Sequence, residues 1–394
     1  MRILVAAERL GRAGGMERYL EIVLPALAAR GAAVHVLARE IAAIPPGVSA
    51  ETVAWADEHD APGTVARAAA ERALRAFAPD VAVAHNVMDA GIAEALRAAP
   101  RFVYHVHDHR PFCPNGDRLF PRSGRICALP VGRPCAVHSL TDGCAYGPRR
   151  RTLTLIRRRE RLRDTIAAAD ATIVASRYMA ERALQNGIAP ERVAEIPLPL
   201  ADDAYAARVA PSRSRTVVFA GRVVPQKGLA SLVRAVALLE PRARPRVRAL
   251  GDGPALPGAR ADAARLGVAL DAPGALAPAA VRAAIDEAAF VALPSLWAEP
   301  FGYVGIEAFA RGRTVAAYDA GGVRAWLADG ANGLAVPRAD EARLARAIAS
   351  LLDDERYRTT LAERARRDAE RFRARAVVDA LLAAYEAPAM TRGA

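Results

Sequence analysis

The chain has 394 residues, 53% apolar and 25% charged, a globular composition too long for one ordinary core and so read as two domains. Its formal net charge of +12 favours acidic partners such as nucleotide phosphates or anionic lipid, while aromatics at 5%, none interleaving the arginine runs, argue against nucleic acid. The apolar start at residues 3–7 is too short for a secretory signal and no run approaches the roughly 18 apolar residues of a membrane span, so a cytoplasmic protein, peripheral to the membrane at most, is expected.

Short β-rich runs at residues 2–7, 33–38, 80–85, 101–107, 171–175 and 193–197 alternate with helical periodicities such as 16–30, 65–77 and 177–186. After a looser stretch containing Asp and Pro, 198–215, the alternation restarts with strands at 216–220, 247–250, 290–294 and 314–318. Such alternation implies parallel, doubly wound sheets, here a first domain over 1–205 and a second over 206–372. The last helical stretches, 340–353, 355–371 and 373–386, have no strand between them, and a helix over about 373–394 is expected to pack back on the first domain. Ligands of doubly wound sheets bind beyond the carboxyl ends of the strands, and two such edges facing each other would make a deep cleft.

All four cysteines, Cys113, Cys127, Cys135 and Cys144, fall between the strand ending at His107 and the helix starting near Arg151. A loop of about forty residues without strong periodicity needs something to order it. No Cys-x2-Cys pair is present, so a structural zinc on four thiolates, four reduced thiols and two disulfides all stay open, with His138 as a spare ligand. The run from Arg149 to Arg163 is the densest in arginine. It reads either as a contact with an anionic inner membrane or as a solvated helix whose Leu153, Ile156 and Ile166 face the core.

Lys and Arg together number 55, and all are arginine except Lys227. It stands in Phe219-Ala-Gly-Arg-Val-Val-Pro-Gln-Lys-Gly228, a strand end, a glycine turn and a helix start with two cations, Arg222 and Lys227, aimed into the turn. A compact ammonium suits a phosphate oxygen and a guanidinium fork is not its equivalent, which makes this turn an anion site. Further on, the strand at 290–294 leads into Glu299-Pro-Phe-Gly302, where Gly302 opens a helix to about Arg311 with Glu307 a turn and a half inside it. The unpaired amides of Gly302, Tyr303 and Val304 form a diphosphate seat. Two flanking carboxylates would repel a phosphate, so Glu299 and Glu307 fit hydroxyls, one on each side of it.

Glu299-Pro-Phe-Gly-Tyr-Val-Gly-Ile-Glu307 has the Glu-x7-Glu spacing of retaining glycosyltransferase family 4, and Gly221 to Gly228 resembles that family's phosphate clamp. Leu250-Gly251-Asp-Gly-Pro254, Ala320-Gly-Gly322 and Asp329-Gly-Ala-Asn-Gly333 resemble its carboxyl-domain loops, and Gly11-Arg-Ala-Gly14-Gly15 its first strand-to-helix turn. The likeness runs from residue 1 to about 388. It implies the GT-B architecture, an α/β fold of two Rossmann-like parallel-sheet domains facing a central cleft. It also implies a hexosyltransferase that moves a sugar from a UDP-, GDP- or ADP-sugar to a hydroxyl of a glycan, lipid-linked or small-molecule acceptor, in polysaccharide biosynthesis for instance.

Carried over by position, the resemblance puts Arg222 and Lys227 on the departing diphosphate and Glu299 on a hydroxyl of the donor sugar. The amides from Phe301 to Tyr303 fall on sugar or phosphate and Glu307 on the ribose. Gly221 and Gly251 line the donor, the backbone of Gly14 and Gly15 approaches its diphosphate from the opposite domain where a Cβ would clash, and His107 stands beside the donor sugar, with His105 deeper on the same face and the weaker candidate. The leaving phosphate takes the acceptor's proton, so neither an active-site metal nor a cofactor is expected. Two departures are visible: Val323-Arg-Ala325 where the family often has Glu, and Thr314 where it commonly has Pro. The rival readings are a nucleotide-sugar epimerase or phosphorylase on the same scaffold, and a non-catalytic sugar-nucleotide binding protein.

Overall fold

The computed structural model describes residues 1–11, 14–55, 64–144, 148–205 and 212–388. Arg12 and Ala13 of the first turn, the stretch 206–211 beside the expected domain break, and the end of the last expected helix, 389–394, lie outside the described residues. The chain divides into two compact units, Met1–Pro199 with Ala374–Ala394, and Leu200–Arg373.

The first unit holds seven strands: β1 (Arg2–Leu10), β2 (Ala33–Ile41), β3 (Val48–Thr52), β4 (Val81–His85), β5 (Arg101–Val106), β6 (Ala171–Val174) and β7 (Val193–Glu195). They pair in parallel in the order β3-β2-β1-β4-β5-β6-β7. Every residue of β4 and β5 is buried, because crossover helices cover both faces; this is why these strands read as mostly apolar runs. On one face Leu20 and Leu24 of α1 (Gly15–Ala29) pack with Val378 and Leu381 of the terminal helix (Ala374–Glu386). On the other lie α2 (Thr64–Phe77), α3 (Ala90–Leu96) and, past the short α4 (Arg133–Thr141), the long α5 (Arg149–Ala167), with Ala70, Leu96, Leu162 and Ile166 in the core. In α5 the buried stripe runs through Leu155, Ile156, Leu162 and Ile166 at helical spacing. Leu153 falls off that stripe and is 38% exposed, which corrects the expectation that it faces the core.

The second unit holds β8 (Thr216–Ala220), β9 (Arg246–Leu250), β10 (Leu270–Gly274), β11 (Phe290–Leu293), β12 (Val315–Asp319) and β13 (Leu334–Pro337), parallel in the order β10-β9-β8-β11-β12-β13. After α6 (Arg177–Gln185) of the first unit, its helices are α7 (Leu229–Ala237), α8 (Leu256–Leu266), α9 (Pro278–Glu287), α10 (Tyr303–Ala310), α11 (Glu341–Asp353) and α12 (Glu355–Asp368). In each sheet the strand order reverses once, between β1 and β4 and between β8 and β11. A doubly wound sheet opens a crevice at the carboxyl edge of that switch point. No helix among the described residues is long and apolar enough to cross a membrane.

Candidate active site

Two segments meet at the switch point of the second sheet: the turn after β8 and the loop after β11. The amides of Leu296 and Trp297 both donate to the carbonyl of Gln226, at 2.8 and 3.3 Å, which stitches the two together. Gly228 makes the approach feasible. Its φ is +75°, and a Cβ there would sit 1.9 Å from the Pro294 carbonyl oxygen, so any larger residue would push the turn off the loop.

The stitching delivers Lys227 to Glu299. The Lys227 Nζ lies 2.7 Å from Glu299 Oε1 and 5.1 Å from the centroid of the Trp297 ring. Ser295 Oγ donates to the same carboxylate oxygen. Glu299 is only 2% exposed, and its backbone is clasped by the loop after β12: its amide donates to Ala320 O, and Gly322 donates back to Glu299 O. Burial pushes the Glu299 carboxyl up, but the charge of Lys227 and the hydrogen bonds from Lys227 and Ser295 outweigh it and hold the carboxyl below the usual range. The pair is therefore ionised. Arg222, two residues past the end of β8, is exposed and forms no ion pair with any described residue. The two cations expected to share one task thus differ: Lys227 is held by a buried carboxylate, and Arg222 is open to an incoming anion.

The helix that follows, α10, starts at Gly302, whose φ is +95°. Tyr303 and Val304 form the first turn of α10 at this edge, where amides have no intrahelical partner. Phe301 is 1% exposed, so it offers a ligand only its backbone, which the Trp326 indole fixes by donating to Phe301 O at 2.6 Å. Glu307, in the second turn of α10, is half-buried. Gly251, just past β9, lies against Gly221: a Cβ on it would meet the Gly221 carbonyl oxygen at 1.9 Å. The structure thus brings Gly221, Arg222, Lys227, Gly251, Glu299 and the start of α10 to one carboxyl edge.

In the first unit Gly14 and Gly15 start α1. The clash expected of a Cβ arises here at Gly14 with the chain's own Glu17, whose Oε2 would be 2.0 Å away, while a Cβ on Gly15 meets nothing within 4 Å. The steric need for glycine at 15 is therefore not a property of the protein by itself.

His107 lies just past β5 and is half-buried. His105 shares its face, and the parallel register sets His85 of β4 directly beside His105. The three rings stack at centroid distances of 4.5 to 5.5 Å, and Tyr19 of α1 packs on all of them. His85 Nδ1 and His107 Nε2 share a hydrogen bond of 2.9 Å, and the Tyr385 hydroxyl is 3.3 Å from His105 Nε2. Burial lowers the His107 pKa to about 4, and it lowers those of His85 and His105 well below the ordinary imidazole value, the neighbouring rings adding to it. All three are neutral near pH 7. A nitrogen from each ring falls within 4.8 Å of the others, a spacing that a metal ion could bridge. The direct His85–His107 bond ties two of the three rings to each other. Sequence reasoning missed His85, Tyr19 and Tyr385, because cross-strand register and the docking of a distant helix leave no local signal.

Comparison with known proteins covers most of the chain. The family model described as Glycosyltransferase Family 4 matches residues 13–203, and the one described as Glycosyl transferases group 1 matches residues 203–368. A D-inositol 3-phosphate glycosyltransferase of Kineococcus radiotolerans is 36% identical over 205 residues, covering 47% of each chain. A phosphatidyl-myo-inositol mannosyltransferase of Mycolicibacterium smegmatis is 33% identical over 208 residues, covering 52% of this chain and 51% of its own. The chain thus spans about half the length of the curated relatives it matches. HepE of Anabaena, solved with UDP and glucose, superposes with a TM-score of 0.72 at 21% identity, covering 98% of this chain and 99% of its own. WaaG, a glycosyltransferase involved in lipopolysaccharide biosynthesis, does so with a TM-score of 0.70 at 17% identity, covering 98% of this chain and all of its own. At these identities the solved structures show the fold, which is GT-B.

Proposed function

The chain belongs to glycosyltransferase family 4, and on that premise we propose that it transfers a sugar, with retention of configuration, from a nucleotide-sugar donor seated at the carboxyl edge of β8 and β11 to a hydroxyl acceptor. The observation that carries this reading is the Lys227–Glu299 pair. A buried, ionised carboxylate holds an ammonium at the mouth of the switch point, beside the free guanidinium of Arg222 and the first amides of α10.

In this reading Arg222 and Lys227 neutralise the diphosphate and the charge that grows on it as the glycosidic bond breaks. Preorganised cations stabilise such a leaving group without a metal, and the departing phosphate takes the acceptor's proton. Glu299 is acceptor-only when ionised, so its second oxygen suits a sugar hydroxyl, and Glu307 suits the ribose. His107 serves as a neutral imidazole on a hydroxyl of the transferred sugar rather than as a cation. The name of the solved Anabaena complex supports a UDP-sugar, and the names of the curated relatives support an inositol-type acceptor. Arg150, Arg151 and Arg157 on α5 are exposed with Leu153 among them, a face suited to anionic lipid if the acceptor is lipid-linked.

The test is a thermal-shift screen of the wild type and Arg222→Ala against UDP-, GDP- and ADP-sugars. The reading expects stabilisation by one nucleotide class, UDP first, that is lost in the variant. Equal shifts in both proteins would place the nucleotide elsewhere. Acceptor-independent release of free epimer, or turnover that requires phosphate, would favour an epimerase or phosphorylase.

A further inference from the structure

The segment between β5 and α5 has little regular structure and a thin core. It contains a short 3-10 turn at Arg110–Phe112, an isolated antiparallel bridge between Leu119 and Ile126, and α4. None of the nine residues of α4 is fully buried, and Val137 and Leu140 are 58% and 61% exposed. A helix of that length is marginal without tertiary packing. Something other than apolar burial must hold it.

What lies against it is a cavity of about 30 Å³ lined by Cys113, Cys127, Cys135, Cys144, His138 and Phe120 among others. That is room for a single ion or water. The four cysteines come from four separate stretches of the segment: the turn after the 3-10 helix, the strand returning from the Leu119–Ile126 bridge, the first turn of α4, and the residues after its end. All four are free and half-buried. Cys135 and His138, at i and i+3, put the same face of α4 on the cavity.

We propose that this cavity is a structural zinc site, with the thiolates of Cys113, Cys127, Cys135 and Cys144 as its four ligands. Zinc takes four sulfur ligands in tetrahedral geometry and, by joining four points of a segment, replaces the core that the segment lacks. The surroundings fit a thiolate centre. Arg118, 1% exposed, binds the carbonyls of Phe112, Cys127 and Leu129 and places its charge beside the sulfurs, offsetting part of the double negative charge of a zinc tetrathiolate.

Zinc binds the four sulfurs as thiolates while the four thiol protons leave to solvent. His138 lines the same cavity, but its Nδ1 is held by Asp142 at 2.7 Å and its ring packs on Phe120, so it serves as an orienting neighbour. This inference goes beyond the glycosyltransferase reading and does not depend on it.

The experiment is metal analysis of the full-length protein, purified without chelators, together with thiol titration by Ellman's reagent. One zinc per chain is expected, with four thiols that react only after a chelator is added. Cobalt exchanged into the site should show thiolate-to-cobalt charge transfer and tetrahedral d–d bands. Cys127→Ser should bind zinc at least about tenfold more weakly, while His138→Gln keeps the full complement. Four thiols reactive from the outset with no bound metal would overturn the proposal. So would a chain with no titratable thiol after unfolding in chelator, which would mean two disulfides. Zinc lost from His138→Gln but kept in Cys144→Ser would overturn the ligand set.

Discussion

Removing the Lys227 ammonium should expose how the switch point is built. At 2.7 Å and an effective dielectric near 20, the attraction to Glu299 is roughly 6 kcal/mol before desolvation. A charge-assisted hydrogen bond retains about 1.5–3 kcal/mol of that, and stripping one partner from a buried pair costs about 3–5 kcal/mol, because the other charge stays behind. Lys227→Ala should therefore cost about 3 kcal/mol near pH 7, or roughly 6–12 °C in Tm for a unit of this size. Glu299→Gln added to Lys227→Ala should restore at least about 1.5 kcal/mol, because the stranded charge is then gone.

The pH dependence has a definite sign. The folded-state pKa of Glu299 lies below its ordinary value, so its contribution is present above about pH 4.3 and lost as pH falls through the folded pKa. In Lys227→Ala burial, the largest influence, is opposed only by the remaining side-chain hydrogen bonds and raises that pKa, so the gap between variant and wild type should close below about pH 4. The assay is calorimetric melting of the four proteins of the double-mutant cycle at pH 7 and pH 4. Additive effects at pH 7, or a gap that widens on acidification, would refute the reasoning.

Three further outcomes are expected. Lys227→Arg keeps the charge but replaces a point donor by a planar fork, so kcat should fall by at least about tenfold with little change in Tm; unchanged kcat would remove the special role of this lysine. His85 and His105, 1% and 4% exposed with pKa values well below ordinary imidazole, are neutral in the fold and charge on unfolding. Each should therefore cost about 1.4 kcal/mol per pH unit as pH falls below about 6.5, and a melting profile flat from pH 7 to pH 5 would contradict the buried neutral cluster. Turnover should survive brief EDTA treatment that leaves zinc in the four-cysteine segment, and activity lost with that zinc and the fold intact would overturn the metal-free scheme.

The central strands were legible because burial on both faces leaves a mostly apolar, β-rich run, as in β4, β5, β8 and β11. The three unforeseen strands, β3, β10 and β13, are all sheet edges. β3 has no fully buried residue, and β10 carries a proline and an irregular register, so neither reads as a strand locally. The same divide runs through the site. Lys227, Glu299 and Glu307 stood out because short spacings after strands carry chemistry. The 72-residue link that makes Lys227 and Glu299 one ion pair, and the cross-strand register that adds His85 to His105 and His107, depend on tertiary placement.

The most direct measurement is calorimetric titration of UDP and a UDP-sugar into the wild type and Arg222→Ala. The Arg222 side chain is exposed and forms no ion pair with any described residue, so its loss should leave Tm unchanged while removing a contact to the diphosphate. The account predicts affinity at least about tenfold weaker in the variant, since a hydrogen bond between charged groups is worth about 1.5–3 kcal/mol. Equal affinity in both proteins would contradict a donor site at the carboxyl edge of β8 and β11.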